Sequence, residues 1–196
     1  TNDFVKFMGQ TSWFFPLPLK TTLNVRGQYG IIVPYGSTSL VTIPIYNPVT
    51  GTFTYQTLPK PRVPTYELFY AGGATTVRGF EYGWAGPVNR TTKTPLGSTK
   101  MWAINTELVF PLAREIGLRG ALFFDMGRGF NKLNGRTAMG LNSYTKDAAF
   151  PPRFGLGPGI RWFSPFGPIN IDLGFNPNPQ KGEKGMVINF NAGSSF

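Results

Sequence analysis

Three charged residues in this sequence are distinguished by their surroundings. Arg78 sits at the centre of a glycine- and aromatic-rich stretch, AGGATTVRGFEYGWAGP (71–87). Glu107 and Asp125 come later, at polar positions of the alternating segments KMWAINTELVF (100–110) and GLRGALFFDMG (117–127). Two carboxylates confined together repel, and each then favours its protonated form. A guanidinium placed between them removes that repulsion and offers forked hydrogen bonds to both. This is the chemistry of anchoring, not of bond breaking. Gly79 lets the loop backbone pass close to a wall, and Phe80, Tyr82 and Trp84 are expected to gain burial there.

Composition removes most other chemistries. The chain has no cysteine and no histidine, which excludes a disulfide framework, thiolate or imidazole zinc sites and a Ser-His-Asp triad. No metal, no cofactor and no enzymatic activity is expected. The net charge of +10 comes from 19 Lys and Arg, scattered singly, against 9 Asp and Glu. Without a basic run or a basic–aromatic register, this argues against nucleic acid and suits a barrel rim facing lipid phosphates. No apolar run is long enough for a transmembrane helix. The opening TNDFVKFMGQ lacks the features of a signal peptide and reads as the interior of a longer chain.

The elements that must position these residues are strands. With 25 Gly and 18 Pro spread along 196 residues, the chain suits many short strands joined by turns. In TLNVRGQYGI, Leu23, Val25, Tyr29 and Ile31 alternate with Thr22, Asn24, Arg26 and Gln28. The same alternation sets Phe154, Leu156, Ile160 and Trp162 against Arg153, glycines and Arg161, and Ile169, Ile171, Leu173 and Phe175 against Asn170 and Asp172. Met186, Ile188, Phe190 and Phe196 close the chain on the apolar side. Each segment therefore has one apolar and one polar wall. Aromatic residues near strand ends, charges and glycines on the opposite wall, and short connections (PLPL, PLAREI, SPFG) alternating with long ones fit a transmembrane antiparallel β-barrel. About seven strands are predicted, too few to close with open edges in lipid, so the chain is read as part of a larger barrel. The alternative is an eight-stranded barrel with one strand hidden in 38–58, a segment that also suits a hairpin within the long loop.

The stretch 71–87 resembles the VRGF/VRGY loop of the BamA superfamily of outer-membrane assembly and secretion barrels. YELFYAGG before it, and NTELVFPL, ALFFDMGRGF, GLGPGIRWFSPFGPINIDLGF and INFNAGSSF after it, stand in the family's order. The resemblance implies an all-β, sixteen-stranded barrel of which residues 1–196 form the C-terminal part, with a large lumen-folded loop at about 34–99. It implies that Val77, Arg78, Gly79 and Phe80 are the loop motif and that Arg78 pairs with Glu107 and Asp125. It also implies a lateral seam near Gly193 between first and last strands, where incoming β-strands are templated by edge pairing, and a C-terminal assembly signal in Phe196 and Phe190. The expected place is the bacterial outer membrane. The expected partners are its lipids, including lipopolysaccharide, unfolded outer-membrane protein clients and accessory lipoproteins. A two-partner-type secretion pore and a passive porin or structural barrel are the alternative functions. Arg161 and Asp172 are read as ordinary lumen pairing, with no function assigned.

Overall fold

A computed structural model describes residues 3–35, 40–48, 50–59, 63–131, 151–165 and 167–193. Its strands are β1 (Phe4–Leu17), β2 (Thr21–Pro34), β3 (Leu40–Asn47), β4 (Thr52–Pro59), β5 (Val88–Asn89), β6 (Thr94–Pro95), β7 (Lys100–Ala113), β8 (Leu118–Phe130), β9 (Arg153–Ser164), β10 (Gly167–Phe175) and β11 (Met186–Ala192). Seven of them make one sheet in the order β1-β2-β7-β8-β9-β10-β11, and every neighbouring pair is antiparallel. β3–β4 and β5–β6 are separate two-stranded sheets. The described residues of 38–58 therefore add no strand to the wall: β3 and β4 pair with each other as a hairpin within the long connection, and the eight-stranded alternative falls.

Connection lengths follow the two-sided rule of membrane barrels. Single 3-10 turns at Pro18–Lys20 and Arg114–Ile116, and the step from Ser164 to Gly167, join strands on one side. On the other side the chain runs through 35–99, 131–152 and 176–185. Among the described residues no helix is long and apolar enough to cross a membrane.

The period-two pattern sorts the side chains as expected. Leu122 and Phe124 of β8, Ile160 of β9, Ile171 of β10 and Ile188 of β11 are exposed on the outer face. The intervening positions Phe123, Asp125, Arg161, Asp172 and Asn189 are buried on the inner face. Exposed aliphatic and aromatic groups on one face would be a liability in water; facing acyl chains, they are the surface that holds the sheet in the bilayer.

The apolar core does not lie between two sheets. It forms where the 63–99 connection lies against the inner wall: Val63, Leu68, Phe69, Ala71, Val77, Phe80 and Ala85 from the connection pack with Ile32 of β2 and Met101 of β7. Backbone pairing seals both ends of this contact. Phe69 and Ser98 exchange N–H···O bonds of 2.8 Å, and the Ile32 N–H donates to Thr99 O at 2.7 Å. Phe80 is 2% exposed, and Trp84 is half-buried against the same cluster. Tyr82, expected to be buried with them, is instead 68% exposed, because its ring stacks outward on Tyr70 at 5.3 Å between centroids. The alternation places Leu122 mid-strand on the lipid face, so Leu122→Lys should cost about 2–4 kcal/mol in the folded barrel. Denaturant unfolding in lipid vesicles measures it.

Candidate functional site

The 71–85 segment is first bent on itself. Gly72 (φ +116°) and Gly73 (φ +97°) adopt the left-handed region at the bend, where a side chain is disfavoured. The Gly72 N–H donates to Thr76 Oγ1 at 2.7 Å, and the Ala85 N–H donates to Ala71 O at 2.9 Å. This closed loop points Arg78 at the wall. Two of its carbonyls are then gripped by β2 and β7. Arg26 Nη2 and Gln28 Nε2 donate to Thr75 O at 2.8 and 2.9 Å, and Asn105 Nδ2 donates to Thr76 O.

Arg78 is 4% exposed and makes a forked contact with Asp125: Nε to Oδ2 at 2.7 Å and Nη2 to Oδ1 at 2.8 Å. Its backbone N–H also donates to Asp125 Oδ2 at 3.0 Å. Nη1 donates to Glu107 Oε2 and lies 3.6 Å from Asp172 Oδ2. The guanidinium carbon stands 3.8 Å from the ring centroid of Phe123, a cation–π contact that covers its flat face. Burial opposes the charge on Arg78, but the hydrogen bond to Asp125 and the charges of Asp125, Glu107 and Asp172 outweigh it and raise its pKa above the ordinary arginine range.

The acids extend the network beyond the residues expected from sequence. Arg161 of β9 donates to Glu107 through Nε (3.1 Å to Oε1) and Nη2 (2.6 Å to Oε2), and to Asp172 Oδ1 at 2.6 Å. Arg161 and Asp172, read from sequence as ordinary pairing, are thus part of the same cluster as Arg78. Phe123 was also missed. It shares the inward parity of Asp125, but as a third apolar residue in a row it breaks the polar wall, and the register sets it opposite Glu107.

Small residues make the approach possible. A Cβ on Gly79 would lie 2.6 Å from Phe175 O and 2.8 Å from the Cα of Gly155, far inside van der Waals contact. A Cβ on Gly174 would run into the Arg78 carbonyl. Gly79 of the loop, Gly155 of β9 and Gly174 of β10 therefore let two backbones touch where side chains usually stand. Val77 and Phe80 flank Arg78 in the apolar cluster.

The remaining expected residues lie apart from this cluster. Phe190 is on the exposed outer face of β11. Gly193 lies one residue past β11 at φ +124°, its N–H donating to Pro168 O at 2.8 Å, a conformation that itself calls for glycine. Phe196 lies outside the described residues.

The Omp85 superfamily domain matches this sequence over residues 1–196. The chain belongs to the Omp85 superfamily. This Omp85 chain is 28% identical over 206 residues to the outer membrane protein assembly factor BamA of Neisseria meningitidis serogroup B, a match covering 94% of the chain and 23% of that protein. It is 33% identical over 94 residues to the SAM50-like protein CG7639 of Drosophila melanogaster, covering 43% of the chain and 21% of that protein. The chain thus spans under a quarter of the length of these relatives. The crystal structure of BamA from Haemophilus ducreyi lacking POTRA domains 1–3 has the same fold, with a TM-score of 0.62 at 19% identity over 97% of this chain and 36% of that one. The seven-stranded wall is accordingly a portion of a transmembrane β-barrel.

Removing the Arg78 side chain leaves Asp125 buried with its forked partner gone, a loss of about 3–5 kcal/mol in the seating of the loop. Arg78→Ala should expose 71–98 to proteases while the barrel keeps its heat-modifiable migration. Arg78→Lys should recover only part of the protection, since an ammonium lacks the fork. Gly174→Ala should loosen the loop without altering any charge. Limited proteolysis of the three variants side by side checks all three outcomes.

Proposed function

We propose that this chain is the C-terminal barrel portion of an outer-membrane protein assembly factor, which works without covalent chemistry by offering a strand edge to unfolded β-barrel clients. It is integral to the outer membrane. The observation that carries the reading is the seated loop. The buried ion cluster holds the 63–99 connection against the inner wall, so the inner face is covered by protein where a passive pore would keep an aqueous path. Similarity to an assembly factor over 94% of the chain points the same way.

An edge strand presents backbone N–H and C=O groups without partners, and a client strand that pairs with them exchanges water for a ladder of hydrogen bonds. β11 is bonded to β10 over seven residues, and among the described residues it has no strand on its other side. In the proposed mechanism this edge meets the first strand of the whole barrel at a seam that opens toward lipid. Gly193, at the turn beyond β11, marks the end of that edge, and Phe190 with Phe196 is the aromatic signal by which the chain is itself assembled. Clients are unfolded outer-membrane proteins, helped by accessory lipoproteins. Lipopolysaccharide and other outer-membrane lipids bathe the apolar outer face.

The test uses the full-length protein in lipid vesicles with an unfolded β-barrel client. Client folding should run at least about tenfold faster than in protein-free vesicles, and a cysteine at Val187 should cross-link to the client during folding. Arg78→Ala should remove most of the acceleration. A client that folds no faster than in empty vesicles defeats the reading. A client delivered across the bilayer in soluble form points to a secretion pore, and large, stable conductance that survives Arg78→Ala points to a porin.

A further inference from the structure

Two ties join the lumen loop to the hairpin of β10 and β11, and neither uses the Arg78 side chain. The first is on the inner wall. Asn189 of β11 is buried, and its Nδ2 donates to the Arg78 carbonyl at 2.7 Å. That carbonyl reaches β11 only because Gly174 on β10 leaves the space open.

The second tie is at the far end of the hairpin. Glu183 lies in the 176–185 connection, yet its side chain is only 4% exposed. Its carboxylate accepts from Arg153 Nη2 of β9, from Arg90 Nη2 at 3.4 Å, from Asn176 Nδ2 at 3.1 Å and from the Gln180 N–H at 2.9 Å. Arg90 belongs to the lumen-loop connection, just after β5, and also donates to Lys181 O and Gln180 Oε1. Arg153 in turn stands 4.8 Å from the ring centroid of Phe80, two residues from Arg78. A carboxylate is kept out of water only where cations and N–H donors replace the lost solvent, and here those donors come from the loop connection, from β9 and from the hairpin itself. Lys184 and Glu81 add a third contact of 2.7 Å between the same two bodies, but Lys184 is exposed and Glu81 partly so, and the pair adds little.

We infer that Asn189 and Glu183 are positioning residues that make the seated loop and the last hairpin one body, so that the loop sets where the β11 edge stands and how far it frays. Among the described residues β11 is bonded to β10 alone, and a strand bonded on one side opens locally at low cost. The Asn189 hydrogen bond from its inner face to a loop already locked by Arg78, and the Glu183 contacts at the start of the strand, raise that cost for β11 alone. The tie is independent of what the protein does; its use in presenting an edge rests on the assembly reading.

Amide hydrogen exchange on the full-length protein in lipid vesicles tests it, with 121–125 of β8 as the internal reference. Glu183→Gln and Asn189→Leu should each speed exchange of 187–191 by roughly fivefold to tenfold, the loss of one hydrogen bond or ion contact, and leave the reference unchanged. Asn189→Asp should exceed Asn189→Leu, because it turns a carboxylate oxygen toward the Arg78 carbonyl. Exchange in β11 that stays at the wild-type rate in all three variants overturns the inference, as does equal acceleration in β8, which marks a general loss of stability. Client folding measured on the same samples separates the two readings: faster β11 exchange with unaltered client folding upholds the tie and counts against the assembly mechanism.

Discussion

A guanidinium held out of water by carboxylates from different strands is the constraint on which the rest of this structure depends. Arg78 stands with Glu107 of β7, Asp125 of β8 and Asp172 of β10, and Arg161 of β9 braces two of those acids from the other side. None of these charges is tolerable alone in so buried a place, since each would carry a desolvation cost of several kcal/mol. Together they are satisfied, and only with the loop seated. The cluster therefore acts less as a source of net stability than as a selector. It permits one arrangement of loop and wall and penalises every arrangement that separates them.

That selection needs close approach, which explains a feature that would weaken an ordinary sheet. Inner-face glycines in β9 and β10 deprive those strands of side-chain packing. The space left at Gly155 and Gly174 is taken by the loop backbone around Gly79 and the Arg78 carbonyl. The apolar residues on either side of Arg78, Val77 and Phe80, then complete a core built between loop and wall. The loop is thus a structural layer of the barrel, and its removal would leave the inner wall with uncovered charges and unfilled space.

Much of this was legible in the residues, for identifiable reasons. Strict period-two alternation placed Glu107 and Asp125 on the polar wall of neighbouring strands, and a lone arginine among glycines and aromatics supplied the partner. Arg161 and Asp172 were on that wall too, but their membership depends on register. Arg161 lies opposite Asn170, not Asp172, and it reaches Glu107 two strands away, across β8, rather than along a strand pair. Tyr82 misled because its neighbours Phe80 and Trp84 suggest a common fate, whereas the tight closure of the loop turns the intervening residue outward. The hairpin at 40–59 was ambiguous because its β-branched alternation fits a wall strand and a free hairpin equally; only pairing partners separate the two.

The sequence by itself determined which face of each strand meets lipid, that the chain is all-β and built for a membrane, and which charge must be buried, because alternation and residue type are local properties. The tertiary structure alone decided how many groups share that charge, which glycines admit the loop, and that Asn189 and Glu183 carry the loop's position to the last strand. Those depend on strand register and on contacts between residues about thirty to more than a hundred positions apart, and no local pattern encodes the distance between side chains that meet only after the loop is seated on the sheet.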